Sequence, residues 1–236
     1  MNKLYDKIFI VFNIIKIVIC RLLTRIFFRM DKYPYVAMLH DIKLKKDNRY
    51  DLTVEEFSNY INIIKKQKRN VVNEIEKCKN SKNIVITFDD GYKSIVTDVL
   101  PLMLERKIPF IVFVVTDFIG RPGYLSTDDL ILLKRSGICK IGSHSKTHQV
   151  FRKMSEKEKK FELEYSKKIL EKLLGIEITD FAFPYGSLYA VDKRSVYLAQ
   201  SIYKNVYTTT PLCLFYRGKT IQRLNIPYFL RREFND

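Results

Sequence analysis

The hydrophobic residues of this chain form two kinds of pattern, which alternate from residue 34 onward. Short continuous apolar runs, typical of buried strands, occupy residues 35–39, 84–88, 110–115, 139–142, 181–183 and 206–209. Helical spacing and capping signals between them predict helices starting near 54 and over 94–106, 126–135, 155–174 and 188–199. Strands and helices in alternation are typical of a parallel α/β fold. Because no Gly-, Ser- or Pro-rich linker interrupts the alternation, we expect residues 33–236 to form one domain.

The first 32 residues differ, because basic and apolar side chains are interleaved there at helical spacing. On a helical wheel Lys3, Lys7, Arg21, Arg25 and Arg29 gather on one face, opposite an apolar face. The apolar run is shorter than the ~20 residues that span a bilayer, and a basic amphipathic helix suits the membrane interface. We therefore expect residues 1–30 to bind a membrane surface, at the interface of a bacterial inner membrane. A secretory signal, here without a small-x-small cleavage site, and a helix packed on its own domain are the alternatives.

Composition and charge exclude several classes of protein. The chain has 236 residues, of which 47% are hydrophobic and 29% charged, so it is neither disordered nor of low complexity. Its net charge of +16 is spread along the whole chain without a nucleic-acid-binding signature, so we expect no nucleic acid partner. The four cysteines form no C-x-x-C pair, which argues against a disulfide framework or a cysteine zinc site.

Carboxylate and imidazole side chains follow several of the predicted strands. T-F-D-D-G-Y at 87–92 places Asp89 and Asp90 after one strand, and S-H-S-K-T-H at 143–148 places His144 and His148 after another. Ligands of α/β folds lie at this edge of the sheet. Each motif also has a simpler interpretation: an Asp-Asp-Gly turn that caps a helix, and two solvated loop histidines. The third histidine, His40, also lies beside a predicted strand end, which favours a shared site.

Two histidines and one carboxylate would leave open positions on a bound metal, as hydrolysis requires. Asp90, His144 and His148 would supply such a set if the i, i+4 histidines lie on one helical turn. The second carboxylate, Asp89, would then be free to take a proton from water. No G-x-S-x-G elbow, H-E-x-x-H helix or glycine-rich phosphate loop points to another chemistry.

These motifs resemble those of the polysaccharide deacetylase family, also called carbohydrate esterase family four, with its NodB-type domain. The resemblance rests on T-F-D-D-G-Y, on H-x-x-x-H, on a leading V-A-M-L-H-D and on F-A-F-P-Y-G at 181–186, and it extends over most of residues 33–230. It implies an α/β fold, a distorted (β/α)7-type barrel, and metal-dependent removal of N- or O-acetyl groups from glycans.

The resemblance also implies roles for individual residues. Asp90, His144 and His148 resemble the family's metal ligands, and Asp89 resembles its general base. The backbone N–H of Tyr185 resembles the group that helps to hold the tetrahedral oxyanion. Zn²⁺ is the expected ion for this ligand set, with Co²⁺, Ni²⁺ or Mn²⁺ as alternatives.

The sequence departs from the family pattern at two positions. The family commonly has an arginine that orients the base two residues before the proline of P-Y-G, where this chain has Ala182. Arg223 is the candidate substitute. No histidine follows His148, so the usual late acid is missing, and the chain resembles the subgroup of poly-N-acetylglucosamine deacetylases with a histidine in the first strand segment. His40 would be the acid, with a hydrogen-bonded structural histidine as the alternative.

The leading hypothesis is a metal-dependent hydrolase that removes N-acetyl groups from a surface polysaccharide or its precursor. An O-acetyl glycan esterase would use the same residues. The third possibility is a non-catalytic glycan-binding or membrane protein on a degenerate deacetylase fold. The intact Asp89, Asp90, His144 and His148 argue against it, whereas Ala182 keeps it open.

Overall fold

A computed structural model describes residues 34–45, 50–79, 82–209 and 220–227 of the protein. From Pro34 onward the chain belongs to one compact unit. The helix predicted over residues 1–32 lies outside the described residues. Within them, no helix has the length and apolar character needed to cross a membrane.

The described residues form ten strands and five α-helices, which alternate over most of the chain. The strands are β1 Tyr35–Leu39, β2 Ile42–Lys43, β3 Leu52–Thr53, β4 Asn70–Val71, β5 Asn83–Phe88, β6 Phe110–Val114, β7 Cys139–Ser143, β8 Asp180–Ala182, β9 Asn205–Thr208 and β10 Thr220–Asn225. The helices are α1 Val54–Lys66, α2 Leu100–Glu105, α3 Thr127–Arg135, α4 Glu156–Leu174 and α5 Lys193–Ile202. A π-helical turn covers Ile95–Val99, and 3₁₀ turns cover Ile75–Lys79, Thr116–Phe118 and Phe151–Lys153.

Seven parallel strands close into a barrel. The order β5-β6-β7-β8-β9-β10-β1 is completed by the pairing of β1 with β5, in which Leu39 is opposite Phe88. On its other side β1 pairs with β10, where Val36 is opposite Arg223. β4 adds to the beginning of β5, and β2 pairs with β3 in a separate small sheet. This confirms the predicted (β/α)7-type barrel.

Capping residues fix three helix boundaries as the sequence predicts. Thr53 and Ser155 both form complete capping boxes at the starts of α1 and α4. Because the cap side chain and the glutamate three residues later satisfy each other's backbone N–H, the first turn is well defined. α4 ends at Gly175, which adopts the left-handed conformation (φ 61°) that glycine accepts most readily.

Two predicted helices differ from the observed ones. The segment predicted as one helix over 94–106 begins as a π-helical turn and continues as α2, with Pro101 in the first turn of α2. Proline lacks an N–H and crowds the carbonyl four residues earlier, so a regular α-helix cannot pass through it undisturbed. The helix predicted to start at 188 starts instead at Lys193, after an Asp192 cap. The preceding carbonyls of Leu188, Ala190 and Val191 accept hydrogen bonds from Arg152.

The barrel interior is apolar in the middle and polar where the strands begin. Val36, Val85, Ile111, Phe113, Ala182 and Tyr207 form the central cluster. At the beginning of β8 the buried Asp180 accepts a hydrogen bond from the Tyr207 hydroxyl, 2.7 Å away, and pairs with Lys140. The interior is therefore filled at that end, and the opposite end, where the strands finish, carries the buried Asp89, Asp90 and His144.

Candidate metal-binding active site

The predicted site residues converge where the barrel strands end. Asp89 and Asp90 follow β5, and His144 follows β7. His40 follows β1, which lies beside β5. Because all these strands run in parallel, their carboxyl ends open on one face of the barrel, as in other barrels of this class.

Three of these side chains could hold one metal ion. The Oδ1 atom of Asp90 lies 3.5 Å from Nε2 of His144 and 3.1 Å from Nε2 of His148. Ligand atoms about 2.1 Å from a tetrahedral ion are about 3.4 Å apart, so these separations fit a common ion. Asp90 Oδ1 is also buried without a hydrogen-bond partner among the described residues. Burying a carboxylate oxygen without a partner costs free energy, and a bound cation would supply that partner.

His144 is held in the tautomer that a metal ligand needs. Its Nδ1 lies 2.8 Å from the carbonyl oxygen of Ala182, which can only accept, so Nδ1 carries the proton and donates it. Nε2 then directs its lone pair toward Asp90. Burial lowers the pKa of His144 to about 4, which keeps the imidazole neutral near pH 7.

The segment that carries both histidines is not helical. Residues 144–148 form an irregular turn in which Ser145 and His148 have φ values of 70° and 61°. The Ser145 hydroxyl accepts a hydrogen bond from the His148 backbone N–H, 3.1 Å away. Backbone groups of the segment bond to α4 and to the loop after β6 instead of to one another. The imidazoles therefore come together through an irregular turn, and the helical turn on which the sequence analysis made their shared site conditional is not present.

Asp89 lies next to this ligand set and is bound by Arg223. Nη1 and Nη2 of Arg223 donate to the two carboxylate oxygens over 2.5 and 2.7 Å, and both side chains are buried. Asp89 Oδ2 lies 3.7 Å from His144 Nε2. Burial disfavours the charged carboxylate, but Arg223 and His144 outweigh it and lower the pKa of Asp89. The carboxylate is thus ionised and oriented, as a general base requires.

Arg223 reaches this position from β10, two strands away from β8, which carries the family's usual arginine position. Ala182, which occupies that position, is buried in β8, and its carbonyl orients His144. The guanidinium also donates to the Thr87 hydroxyl, 3.3 Å away, and lies 5.2 Å from the centre of the Phe113 ring. The geometry is that expected of a substitute for the missing arginine. Its effect on turnover stays a prediction.

His40 follows β1 on the face of the barrel that also carries Asp89 and Asp90. Its Nδ1 is buried and has no hydrogen-bond partner among the described residues, and its ring lies 5.8 Å from that of Tyr50. The neighbouring Asp41 accepts from the Ser94 hydroxyl instead, at 2.6 Å. Asp41 therefore has a different partner and does not orient the imidazole.

Tyr185 borders the site on the side of His148. Its ring centre lies 4.9 Å from that of His148, and 57% of the residue is exposed. The backbone has a φ of 62°, and the Tyr185 carbonyl accepts from the Thr209 hydroxyl at 3.1 Å. A Cβ atom at the following Gly186 would lie 2.8 Å from the backbone of Thr209. The tight packing of this turn fixes the peptide group of Tyr185 beside the histidines.

Sequence reasoning missed a row of aromatic rings next to His148. Phe118 lies 6.1 Å from His148, Tyr124 lies 4.7 Å from Phe118, and Tyr92 stacks on Tyr124 at 5.1 Å. We call Phe118, Tyr124 and Tyr92 the aromatic row. All three are partly exposed and lie in segments that follow β5 and β6. Their positions shortly after predicted strands could have indicated that they line the site, because loops at that edge of the barrel do so.

Comparison with known proteins agrees with this geometry. The polysaccharide deacetylase family model matches residues 76–204, which is more than half of the chain. YxkH of Bacillus subtilis (strain 168) is 27% identical over 111 residues, which cover 47% of this chain and only 39% of YxkH. The chain therefore spans well under two thirds of the length of that relative.

Two solved structures share the fold over nearly their whole length. The deacetylase PplD of Streptococcus pyogenes, solved with acetate, aligns with a TM-score of 0.70 at 18% identity, covering 85% of this chain and 97% of PplD. IcaB from Ammonifex degensii aligns with a TM-score of 0.66 at 20% identity, covering 84% of this chain and 95% of IcaB. Together with the family match, the barrel and the conjunction of motifs identify this chain as a member of the polysaccharide deacetylase family.

Proposed function

We propose that this protein is a metal-dependent hydrolase that removes N-acetyl groups from a glycan, either a surface polysaccharide or its precursor. The observation that carries the proposal is the convergence of Asp90, His144 and His148 beside the paired carboxylate of Asp89. Two imidazoles and one carboxylate suit a hydrolytic metal, and a second carboxylate outside that ligand set suits a general base.

The ion itself is proposed from the donor set. Two imidazole nitrogens and one carboxylate oxygen suit Zn²⁺ best, while Co²⁺, Ni²⁺ and Mn²⁺ also accept such ligands. When bound, a divalent ion of this kind polarises the acetyl carbonyl and lowers the pKa of water toward neutrality. Asp90, His144 and His148 would hold it.

The remaining residues would transfer protons or stabilise the oxyanion. Asp89 would accept the proton of the attacking water, with Arg223 holding both carboxylate oxygens in place. The backbone N–H of Tyr185 would donate a hydrogen bond to the oxyanion that forms on the acetyl carbonyl. His40 would donate a proton to the departing amine, so that the sugar leaves as a neutral group.

A glycan substrate is supported by the surroundings of the ligand set. The aromatic row and Tyr185 place partly exposed rings next to His148, with Phe118 at 6.1 Å and Tyr185 at 4.9 Å. Aromatic faces bind the apolar C–H faces of molecules that are polar at their edges, and sugar rings have that character. The open position of these rings suits an extended substrate better than an enclosed small molecule.

The test is acetate release from a panel of N- and O-acetylated glycans, measured with and without a chelator. We expect release from N-acetylated oligosaccharides that stops on chelation and returns when Zn²⁺ is added. An Asp89→Asn variant serves as the control for contaminating esterases. Preferential release from O-acetylated glycans would favour the esterase alternative. Absence of both metal binding and acetate release would favour a non-catalytic glycan-binding protein.

We also propose that residues 1–30 bind the protein to a membrane surface. Their five clustered basic residues each contribute up to about 1 kcal/mol near an anionic surface. The full chain is expected to co-sediment with vesicles containing phosphatidylglycerol, and a variant lacking residues 1–30 to remain in the supernatant while keeping most activity on a short soluble substrate. A truncated protein that still sediments contradicts this proposal.

A further inference from the structure

One buried carboxylate on α4 binds the turn that carries the two histidines. Glu162, on α4, accepts hydrogen bonds through Oε2 from the backbone N–H groups of Lys146 and Thr147, each at 2.9 Å. Its Oε1 accepts from the Thr147 hydroxyl at 2.7 Å. Only 5% of Glu162 is exposed. Hydrogen bonds to an ionised acceptor are shorter and stronger than neutral ones, and burial strengthens them further.

The same turn is bound from the other side by the loop after β6. The backbone N–H of Thr116 donates to the carbonyl of Ser145 at 3.2 Å, and that of Asp117 donates to the carbonyl of Lys146 at 3.0 Å. The turn between His144 and His148 is thus held between two elements. The N–H groups of Lys146 and Thr147 are directed to α4, and the carbonyl groups of Ser145 and Lys146 are directed to the loop after β6.

This arrangement accounts for a conformation that the turn would not adopt alone. Ser145 and His148 both have positive φ, which non-glycine residues seldom adopt unless the surroundings impose it. The conformation of His148 is what brings its Nε2 to 3.1 Å from Asp90. A helix over 144–148 would instead direct the His148 N–H to the carbonyl of His144, whereas in the structure this N–H donates to the Ser145 hydroxyl.

We propose that Glu162 is a positioning residue that holds the His144–His148 turn in its metal-binding conformation. Glu162 is not one of the three candidate ligands, so it acts through the orientation of His148. The inference rests on the proposed function, because it concerns the metal site of that function. It predicts that loss of the Glu162 carboxylate weakens Zn²⁺ binding while the metal-free protein remains folded.

The experiment measures Zn²⁺ affinity of the full chain by competition with a chromogenic chelator. Changes in the surroundings of metal ligands typically reduce affinity ~10- to 100-fold, and we expect Glu162→Ala to fall in that range. Glu162→Gln keeps an oxygen for the two N–H groups and offers its amide to the Thr147 hydroxyl, so it should restore most of the affinity. Glu164→Ala is the matched control, because Glu164 lies on the same helix, is exposed and, among the residues that the structure describes, pairs only with Lys160 at 3.6 Å.

Thr147→Val is the second variant, and it removes one of the three hydrogen bonds while leaving the carboxylate. We expect it to weaken Zn²⁺ binding by a smaller factor than Glu162→Ala does, with a melting temperature of the metal-free protein near that of the wild type. If Glu162→Ala fails to fold, this variant and Glu162→Gln decide the question. Native Zn²⁺ affinity in Glu162→Ala, or in Thr147→Val where the alanine variant is unfolded, overturns the inference.

The outcome can be separated from that of the proposed function. A wild-type protein that binds Zn²⁺ but releases no acetate contradicts the proposed function alone. A glycan-active wild type whose Glu162→Ala variant keeps native affinity contradicts the role of Glu162 alone. In active variants, we expect kcat at saturating Zn²⁺ to fall while KM for the glycan stays within about twofold, since Glu162 would position a metal ligand and not the sugar.

Discussion

The guanidinium of Arg223 binds both carboxylate oxygens of Asp89, with Nη1 2.5 Å from Oδ1 and Nη2 2.7 Å from Oδ2. The two residues come from strands on opposite sides of β1: Arg223 lies on β10, opposite Val36, and Asp89 follows β5. A planar guanidinium matches a carboxylate in this bidentate manner and fixes its plane as well as its charge. Because β5 and β10 both pair with β1, closure of the barrel brings Arg223 next to Asp89. Arg223 then orients the proposed base.

Arg223→Lys is expected to lower kcat by at least about tenfold while leaving metal content unchanged. A lysine keeps the positive charge but contacts the carboxylate at one point, so Asp89 can rotate away from the attacking water. The measurement is kcat together with bound metal per chain. Arg194→Lys is the control, because Arg194 is exposed and pairs with Glu156 at the surface. A native kcat in Arg223→Lys would show that orientation by the bidentate pair is not needed.

Arg223→Met tests the contribution of the same pair to stability. It leaves Asp89 buried without its cation, which typically costs about 3–5 kcal/mol. Because Arg223 and His144 lower the pKa of Asp89 in the folded state, the stabilisation is present above the unfolded pKa and is lost as the pH falls through the folded value. The difference in unfolding free energy from wild type should be largest near pH 7 and shrink below about pH 4. Urea denaturation at pH 7 and pH 3.5 measures it, and an equal difference at both values would contradict the explanation.

Substitution of Asp89 should lower turnover, whereas substitution of Asp90 should lower metal affinity. Asp89→Asn removes the base but no metal ligand, so it should keep the metal and lose ~10²–10⁴-fold in kcat. Asp90→Asn removes a ligand oxygen beside both imidazoles, so it should lose metal affinity first. Metal content and single-turnover acetate release separate the two effects. Equal loss of metal in both variants would mean that the division of roles is wrong.

The sequence and its family resemblance predict the barrel, and the convergence of Asp89, Asp90, His144 and His148, better than they predict local geometry. Apolar strand runs and capping boxes at Thr53 and Ser155 are local signals, and the structure confirms them. The contact of Arg223 with Asp89 joins residues 134 positions apart, so only the family resemblance pointed to it. No local pattern indicates the turn at 144–148, because Glu162, which binds it, lies 16 residues after Lys146, on α4. Long-range hydrogen bonds decide such turns, and no short-range pattern contains them.

The aromatic row should contribute to the binding of long substrates. Tyr124 lies between Phe118 and Tyr92, so Tyr124→Ala interrupts the row at its centre. An aromatic contact contributes about 0.5–1.5 kcal/mol, so KM for an acetylated tetrasaccharide should rise roughly 2- to 12-fold. The KM for a short acetylated substrate that cannot reach the row should change little. Tyr197→Ala is the control, since Tyr197 is an exposed tyrosine on α5. An equal rise for both substrates would place the effect at the metal site instead.

His40 is expected to supply the proton that the departing amine needs. It follows β1 on the face shared with Asp89, and its buried Nδ1 has no hydrogen-bond partner among the described residues. Imidazole titrates near neutral pH, so it can give up a proton and recover it under working conditions. Because His40 is outside the candidate ligand set, His40→Ala should keep its metal and fold but lose at least ~10²-fold in kcat on N-acetyl substrates.

A comparison of N-acetyl with O-acetyl substrates tests the role of His40 more sharply. An amine is expelled only once protonated, whereas the oxygen of an O-acetyl ester leaves more readily, so His40→Ala should lose less activity on O-acetyl substrates. Asp41→Asn is the matched neighbour, because Asp41 contacts Ser94 and Lys43 and not the imidazole. We expect that variant to keep the native ratio of N- to O-acetyl activity. A His40→Ala variant that hydrolyses N-acetyl groups at the native rate would make His40 a structural residue and assign the proton to water.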